Sequence, residues 1–247
     1  MFTFPHGYMK DGVVVPYAPG MMTYGAGGYY TDTTVTTAGN KVTVVARFNI
    51  AAFTGGSNKY IFNHTNVSSS IRATAIVYSS DNATTEVRSK LLVIFRNSAG
   101  GDIGRFLSID AVADGSDKLL WCAYDGDSGL GKFYINGVDA DDTGYTGRAL
   151  TTGTLTTGAS HIMTVGGSNH VSGGNTFQGG KIGYFGIRDA YLTNPTDFYS
   201  GGIKELDETG WTEWGAQPLF WNQYGTMTAN AGSAGNMTAN GTITGPA

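Results

Sequence analysis

The stretch "KLLWCAYDGDSGLGKFYINGVDA" (118–140) decides the fold. Two β-prone runs flank an acidic, glycine-rich centre, and Asp-Gly and Asn-Gly are among the strongest short signals for a hairpin turn because both tolerate positive φ. The stretch reads as antiparallel strands joined by tight turns. Upstream, "KVTVVARFNIAAF" (41–53) places Val42, Val44, Ala46, Phe48 and Ile50 on one face and Lys41, Thr43, Arg47 and Asn49 on the other. That period of two predicts a half-buried strand.

Working outward, similar runs lie at 59–64, 71–80, 90–98, 105–113, 161–168 and 181–192, separated by turn-forming clusters such as "FTGGSN", "NSAGGDIG" and "SGGNTFQGG". No segment keeps an apolar period of 3.6 residues; only "NPTDFYSGGIKELDE" (194–208) has room for a helical turn, begun by Pro195 and cut by Gly201 and Gly202. The fold class is therefore all-β: a two-sheet antiparallel sandwich or jelly roll, since each alternating strand has one apolar face that a second sheet must cover. A chain of 247 residues fits one such core.

The ends differ from the middle. Residues 1–40 are rich in Gly, Tyr and Thr, and 225–247 repeat "MTAN" at 227–230 and 237–240. Such polar sequence builds no core of its own, so it predicts extended N- and C-terminal arms that pack on the sandwich or on a neighbouring subunit. The organisation expected is an arm with first strands at 1–40, a jelly roll at 41–195 and a C-terminal extension at 196–247.

Trp121, Asp125, Gly126, Phe133, Ile135, Asn136 and Gly137, followed by Val165-Gly166-Gly167 and then Gly180, Ile182 and Phe185, resemble in order the concanavalin A-like (laminin G-like, pentraxin-like) jelly rolls. The match covers about 40–195, and the order of these short pieces is informative. The C-terminal stretch, with "GAQPL" (215–219), the Asn230, Gly232, Gly235 run and Thr238, Asn240, Gly241, is similar to an extension found on jelly-roll proteins encoded among structural genes of tailed bacteriophages. That resemblance implies a virion component made in the host cytoplasm, contacting a major capsid or tail protein and copies of itself. The N-terminus shows no charged region followed by an apolar one, which agrees with that expectation.

Several chemistries are weighed against the residues. Asp125 and Asp127 begin like a calcium loop, but Gly129 stands at the third ligand position and Asn136 where a bidentate acid is needed, so the turn reading is the heavier one. Asp139, Asp141 and Asp142 are crowded enough to share a cation, Ca2+ being the one the jelly-roll resemblance implies; the competing reading is a solvated edge that blunts sheet aggregation. No other cofactor is expected. Tyr145, Trp211 and Trp214 lie in loop-like sequence where rings are available to stack on sugar. Trp211, Trp214 and Trp221, three tryptophans in eleven residues, also make a natural clamp, with Asn230 and Asn240 marking the assembly tail.

Catalysis finds little. Glu205 and Glu208 in "ELDE" sit three apart and in a strand would face opposite ways, which fails the paired-carboxylate geometry of a glycosidase. His6, His64, His161 and His170 are scattered, and Cys122 lies in an apolar run. A net charge of −4 without basic runs disfavours nucleic acid, and no apolar run approaches a membrane span. The expected function is a non-enzymatic virion structural protein, of decoration or fibre type, assembled through its arms. The alternative is a glycan-binding adhesin for host-surface polysaccharide, and the weakest reading is a polysaccharide hydrolase.

Overall fold

The computed structural model describes residues 7–10, 13–16, 21–25, 27–32, 39–51, 58–66, 72–78, 85–156, 161–167, 176–177, 179–203, 214, 220–221 and 237–244. Its strands are β1 (Gly7–Lys10), β2 (Val13–Pro16), β3 (Met22–Tyr24), β4 (Tyr29–Asp32), β5 (Lys41–Ile50), β6 (Lys59–Asn66), β7 (Arg72–Tyr78), β8 (Leu91–Arg96), β9 (Asp102–Leu107), β10 (Asp117–Asp125), β11 (Leu130–Ile135), β12 (Val138–Asp139), β13 (Ala149–Leu150), β14 (His161–Val165), β15 (Gly180–Arg188), β16 (Phe220–Trp221), β17 (Thr238–Asn240) and β18 (Ile243–Thr244). No helix occurs among the described residues; the segment beginning at Pro195 makes a hydrogen-bonded turn, with the Phe198 and Tyr199 amides donating to the Pro195 carbonyl.

Two antiparallel sheets face each other. The first runs β12-β11-β10-β5-β15-β3-β18, with β16 also on β15, and the second runs β13-β9-β8-β7-β6-β14-β4-β17; β1 and β2 pair separately. The alternation predicted for 41–50 holds: Val42, Val44, Ala46, Phe48 and Ile50 join Leu120, Cys122, Tyr124, Phe133 and Ile187 in the core between the sheets, against Ile76, Val93, Phe95, Phe106 and Val165 of the second sheet. The Asn136-Gly137 turn also forms as predicted, with both residues at positive φ (51° and 72°) and the Asn136 side-chain oxygen accepting from the Leu119 amide at 2.8 Å.

The outer faces are buried too. On the first sheet, Val45, Leu119, Trp121 and Tyr184 pack under Phe198 and Trp214. Trp214 lies 5.4 Å from Trp121 and 5.2 Å from Phe198 between ring centroids, both edge-on, and its backbone N–H donates to the buried Asp197 carboxylate. On the second sheet, Tyr60, Ala75, Leu92, Ile94, Leu107 and Tyr145 form a third cluster, with Val87 packed against it.

Both open sides of the sandwich are closed by chain that passes from one sheet to the other. On one side, the segment after β12 hydrogen-bonds to β11 (Ala140 N to Phe133 O, 3.0 Å) and then to the end of β9 (Asp142 N to Leu107 O, 2.8 Å). On the other, β3 and β18 pair in the first sheet while β4 and β17 pair in the second, so Gly25, Gly27 and Gly28 nest against the corner at 241–242. The sequence predicts extended arms at both ends; of the described parts of those ends, β3, β4, β17 and β18 are strands within the two sheets, joined to the same layers as 41–195, while β1 and β2 pair separately. The polar repeat at 237–240 is stabilised by backbone pairing to β4 rather than by a core of its own.

The corner contact admits no side chain. A Cβ on Gly241, which sits at φ 65°, would come 2.1 Å from the Gly27 carbonyl oxygen, and one on Gly28 would come 2.2 Å from the Thr242 carbonyl oxygen. Gly241→Ala is expected to cost about 2–3 kcal/mol, a fall in Tm of roughly 5–10 °C by thermal denaturation. Removal of 237–247 is expected to lower Tm further; a truncated chain that melts with the full-length one refutes this closure.

Candidate functional site

The acidic turn between β10 and β11 is held by its own hydrogen bonds. The Asp125 side chain accepts from the Asp127 amide at 2.9 Å and its carbonyl from the Gly129 amide at 2.8 Å, while Asp127 accepts from the Asn40 side-chain amide at 2.8 Å. Burial pushes the Asp125 carboxyl up, but the Asp127 amide, the Ser128 hydroxyl and Lys41, whose Nζ is 3.4 Å away, together bring it below the usual range. The turn reading of 125–129 is the one the geometry displays.

Asp139, Asp141 and Asp142 do not converge, which corrects the shared-cation expectation. The Arg148 Nε and Nη2 groups both donate to Asp141 Oδ2, at 2.9 and 2.8 Å. Lys90 Nζ lies 3.0 Å from Asp142 Oδ2, and Asp139 Oδ1 accepts from the Asp141 amide at 3.2 Å. Among the described residues no group of three metal-ligating side chains is close enough to hold an ion. The repulsion that a cation was expected to relieve is relieved by Arg148, 7 residues from Asp141, and by Lys90, 52 residues from Asp142.

Tyr145 and Trp214 are corrected as sugar-stacking rings. Trp214 is fully buried in its own chain, and only 7% of Tyr145 is exposed. Tyr145 instead underlies Arg105, whose guanidinium carbon sits 5.4 Å from the ring centroid. Trp211, Asn230, Glu205, Glu208, His6 and His170 lie outside the described residues. The backbone of Trp221 pairs with Gly186, and Asn240 donates from Nδ2 to Thr31 Oγ1 at 3.3 Å. His64 and His161 lie tilted against each other inside the sandwich, 5.0 Å between rings and both buried. Burial first, then Asp141, raises the Cys122 thiol well above its ordinary value, the opposite of an activated nucleophile.

What the fold does assemble is a rim of oriented charges around the Tyr145 plug. Asp102 accepts from Arg96 Nε at 2.6 Å and from Arg105 Nη1 at 3.0 Å. Glu86 accepts from the Thr146 amide at 2.7 Å and its hydroxyl at 2.9 Å, and Lys90–Asp142 completes the rim. The side chains of Arg96, Asp102 and Arg105 are 22%, 19% and 30% exposed, so they keep donors and lone pairs toward solvent while held by one another. Arg105 Nε is buried without a hydrogen-bond partner. Sequence reasoning missed this set; the signal was "RNSAGGDIGR" (96–105), where a turn brings Arg96, Asp102 and Arg105 back together.

No protein-family description and no curated protein matches the sequence. Among solved structures, a heptameric SAP-like pentraxin from Limulus polyphemus matches at TM-score 0.59 and 13% identity over 92% of this chain and 94% of that one. A "putative carbohydrate binding protein" from Bacteroides ovatus matches at TM-score 0.59 and 13% identity over 92% of this chain, which spans 60% of that protein. The CBM40 module of a Ruminococcus gnavus IT-sialidase, bound to α2,3-sialyllactose, matches at TM-score 0.50 and 14% identity over 72% of this chain and 93% of that one. At these identities the likeness establishes the fold, an all-β jelly roll of the kind the central motifs resemble.

Two outcomes follow from the charge pairs. Lys90 first, through its hydrogen bond, holds the Asp142 carboxyl below the usual range, so the pair's contribution is present above the unfolded carboxylate value near 4 and is lost as pH falls through the lower folded value. Lys90→Met is expected to lower Tm at pH 7 and to flatten its fall below about pH 4, as read by thermal melts across pH. Millimolar calcium or EDTA is expected to leave Tm unchanged; a calcium-dependent rise abolished in Asp139→Ala restores the cation reading.

Proposed function

We propose that this chain is a carbohydrate-binding jelly-roll module that acts by binding rather than turnover. The observation that carries the reading is its likeness, over 92% of the chain, to a protein described as carbohydrate-binding and, over 72% of it, to a carbohydrate-binding module of a sialidase. The virion role implied by the C-terminal resemblance gains no support from these relatives, whereas the glycan-binding alternative does.

The surface we assign is the Arg96, Asp102 and Arg105 rim beside Glu86, Thr146, Lys90 and Asp142. Sugar hydroxyls both donate and accept, so they suit a surface where guanidinium donors and carboxylate acceptors alternate in fixed positions. The mutual ion pairs prevent the side chains from having to order on binding, which lowers the entropic cost of a complex. Tyr145 serves as the platform beneath Arg105, not as the ring that meets the sugar.

Retention of the full chain on a panel of immobilised neutral and acidic glycans tests the reading. Saturable retention is expected, falling by about tenfold or more in Arg105→Ala with Tm changed by only a few degrees. Retention unaffected by Arg105→Ala and Asp102→Asn moves the site elsewhere, and no retention on any glycan overturns the function.

A further inference from the structure

The sequence contains two Asn-Gly pairs, Asn136-Gly137 and Asn240-Gly241, and the fold treats them oppositely. In such a pair the backbone nitrogen of glycine, with no Cβ to shield it, can attack the Cγ carbonyl carbon of the asparagine side chain. The new N–Cγ bond closes a five-membered succinimide, and the Cγ–Nδ2 bond breaks with release of ammonia. Water then opens the ring. Attack at the side-chain carbonyl leaves aspartate; attack at the main-chain carbonyl leaves isoaspartate, in which the backbone runs through Cγ and is one carbon longer. The step needs no reactant besides water, only freedom for the asparagine to swing its side chain onto the next backbone nitrogen.

Asn136 is held away from that motion. Its amide donates to the Leu119 carbonyl at 2.9 Å and its Oδ1 accepts from the Leu119 amide at 2.8 Å, so backbone and side chain are both tied to one buried residue of β10. Gly137 lies under the Tyr199 ring, where a Cβ would come 2.4 Å from Cδ1. Freeing Asn136 means parting β11 from β10 beside Leu120 and Trp121, in the wall of the core.

Asn240 has no such hold. It ends β17, the last strand at one side of the second sheet, which pairs with β4 over three residues, and Gly241 leads to β18, which ends the first sheet and pairs with β3 over two. Among the described residues the Asn240 side chain is held through Nδ2 alone, at 3.3 Å from Thr31 Oγ1 and 3.2 Å from the Thr238 carbonyl. Nδ2 is the atom that leaves, and both contacts are long. Gly241 is exposed. Short pairings near a chain end open at the low end of the local free-energy range, so the reactive geometry is reached without unfolding the sandwich.

We propose that Asn240-Gly241 is a self-modification site that opens the C-terminal closure of the sandwich with time, while Leu119 and Tyr199 keep Asn136-Gly137 intact. The corner has no room for an extra backbone carbon, since a Cβ on Gly241 already meets the Gly27 carbonyl oxygen and one on Gly28 the Thr242 carbonyl oxygen. Isoaspartate also replaces the amide that donates to Thr31 and to the Thr238 carbonyl with a carboxylate, which has no proton to donate. β17 and β18 then leave β4 and β3, and the sandwich passes from a closed form to one with two more strand edges uncovered.

Ageing the full chain in mildly alkaline buffer well below its Tm tests the proposal, with peptide mapping by isoaspartyl methyltransferase labelling and thermal melts of the modified fraction. Isoaspartate is expected at residue 240 in about tenfold or greater excess over residue 136, and in denaturant the two sites are expected to convert alike. The isoaspartyl fraction is expected to melt several degrees below fresh protein. N240Q, whose longer side chain closes the larger ring far more slowly, is expected to keep its Tm through the same ageing. Freshly purified N240D, which carries the charge without the extra backbone carbon, is expected to melt above the isoaspartyl fraction. Isoaspartate as abundant at 136 as at 240, no modification at 240 over a time that converts the denatured chain, or an isoaspartyl chain that melts with fresh protein overturns it.

Discussion

Trp121 is where the layers of this protein meet. Its strand, β10, pairs with β5 on one edge and β11 on the other, so its inner side chains Leu120, Cys122 and Tyr124 lie between the sheets while Leu119 and Trp121 point outward. An outward indole on a central strand costs free energy unless something covers it, and the cover is Phe198 and Trp214, with the indole N–H donating to the Leu192 carbonyl at 3.1 Å. Thr43, on the neighbouring strand, fixes the same crossing segment twice: its hydroxyl donates to the Ala190 carbonyl at 2.6 Å and accepts from the Leu192 amide at 3.0 Å. The chain after β15 therefore has one path across the first sheet, and that path turns a two-layer sandwich into a three-layer one on this side.

The second constraint is closure. A sandwich has two open sides, and an open side exposes core and unpaired strand edges alike. Here each side is crossed by chain that leaves one sheet and joins the other, at 138–142 and at the nested corners of β3–β4 and β17–β18. Glycines at 28 and 241 permit the corner because backbone meets backbone there, and Gly27 permits it by turning at φ 68°. The acids at 139–142 belong to the first crossing, which explains why they are spent on Arg148, Lys90 and a neighbouring amide: they tie the crossing to the strands and loops it spans.

The candidate binding surface arises from the cover of the second sheet. Tyr145 plugs the outer apolar cluster, and the charged groups that cannot follow it inward line up around it, each oriented by an opposite charge. On the proposed reading this ordering suits a ligand rich in hydroxyls, since donors and acceptors are placed before the ligand arrives. It differs from an arrangement built on exposed aromatic rings, which the loop-like setting of Tyr145 and Trp214 suggests on sequence grounds.

Local features were legible in the sequence alone. The alternation at 41–50, the Asp-Gly and Asn-Gly turns at 125–126 and 136–137, and the absence of helical period followed from steric preferences of single residues and from the two-residue repeat of a strand, and they specified an all-β sandwich. The jelly-roll identity of the central motifs was legible as well, from their order. The fates of Trp214, Tyr145, Asp141 and Asp142 and the strand pairing of both ends were decided only by tertiary structure. Each depends on which distant segment crosses an outer face or meets an edge, as Asp142 meets Lys90 and Thr238 meets Thr31. Burial and charge pairing between residues far apart in sequence have no local period, so only the folded chain determines which polar groups are spent on holding it together and which remain to bind.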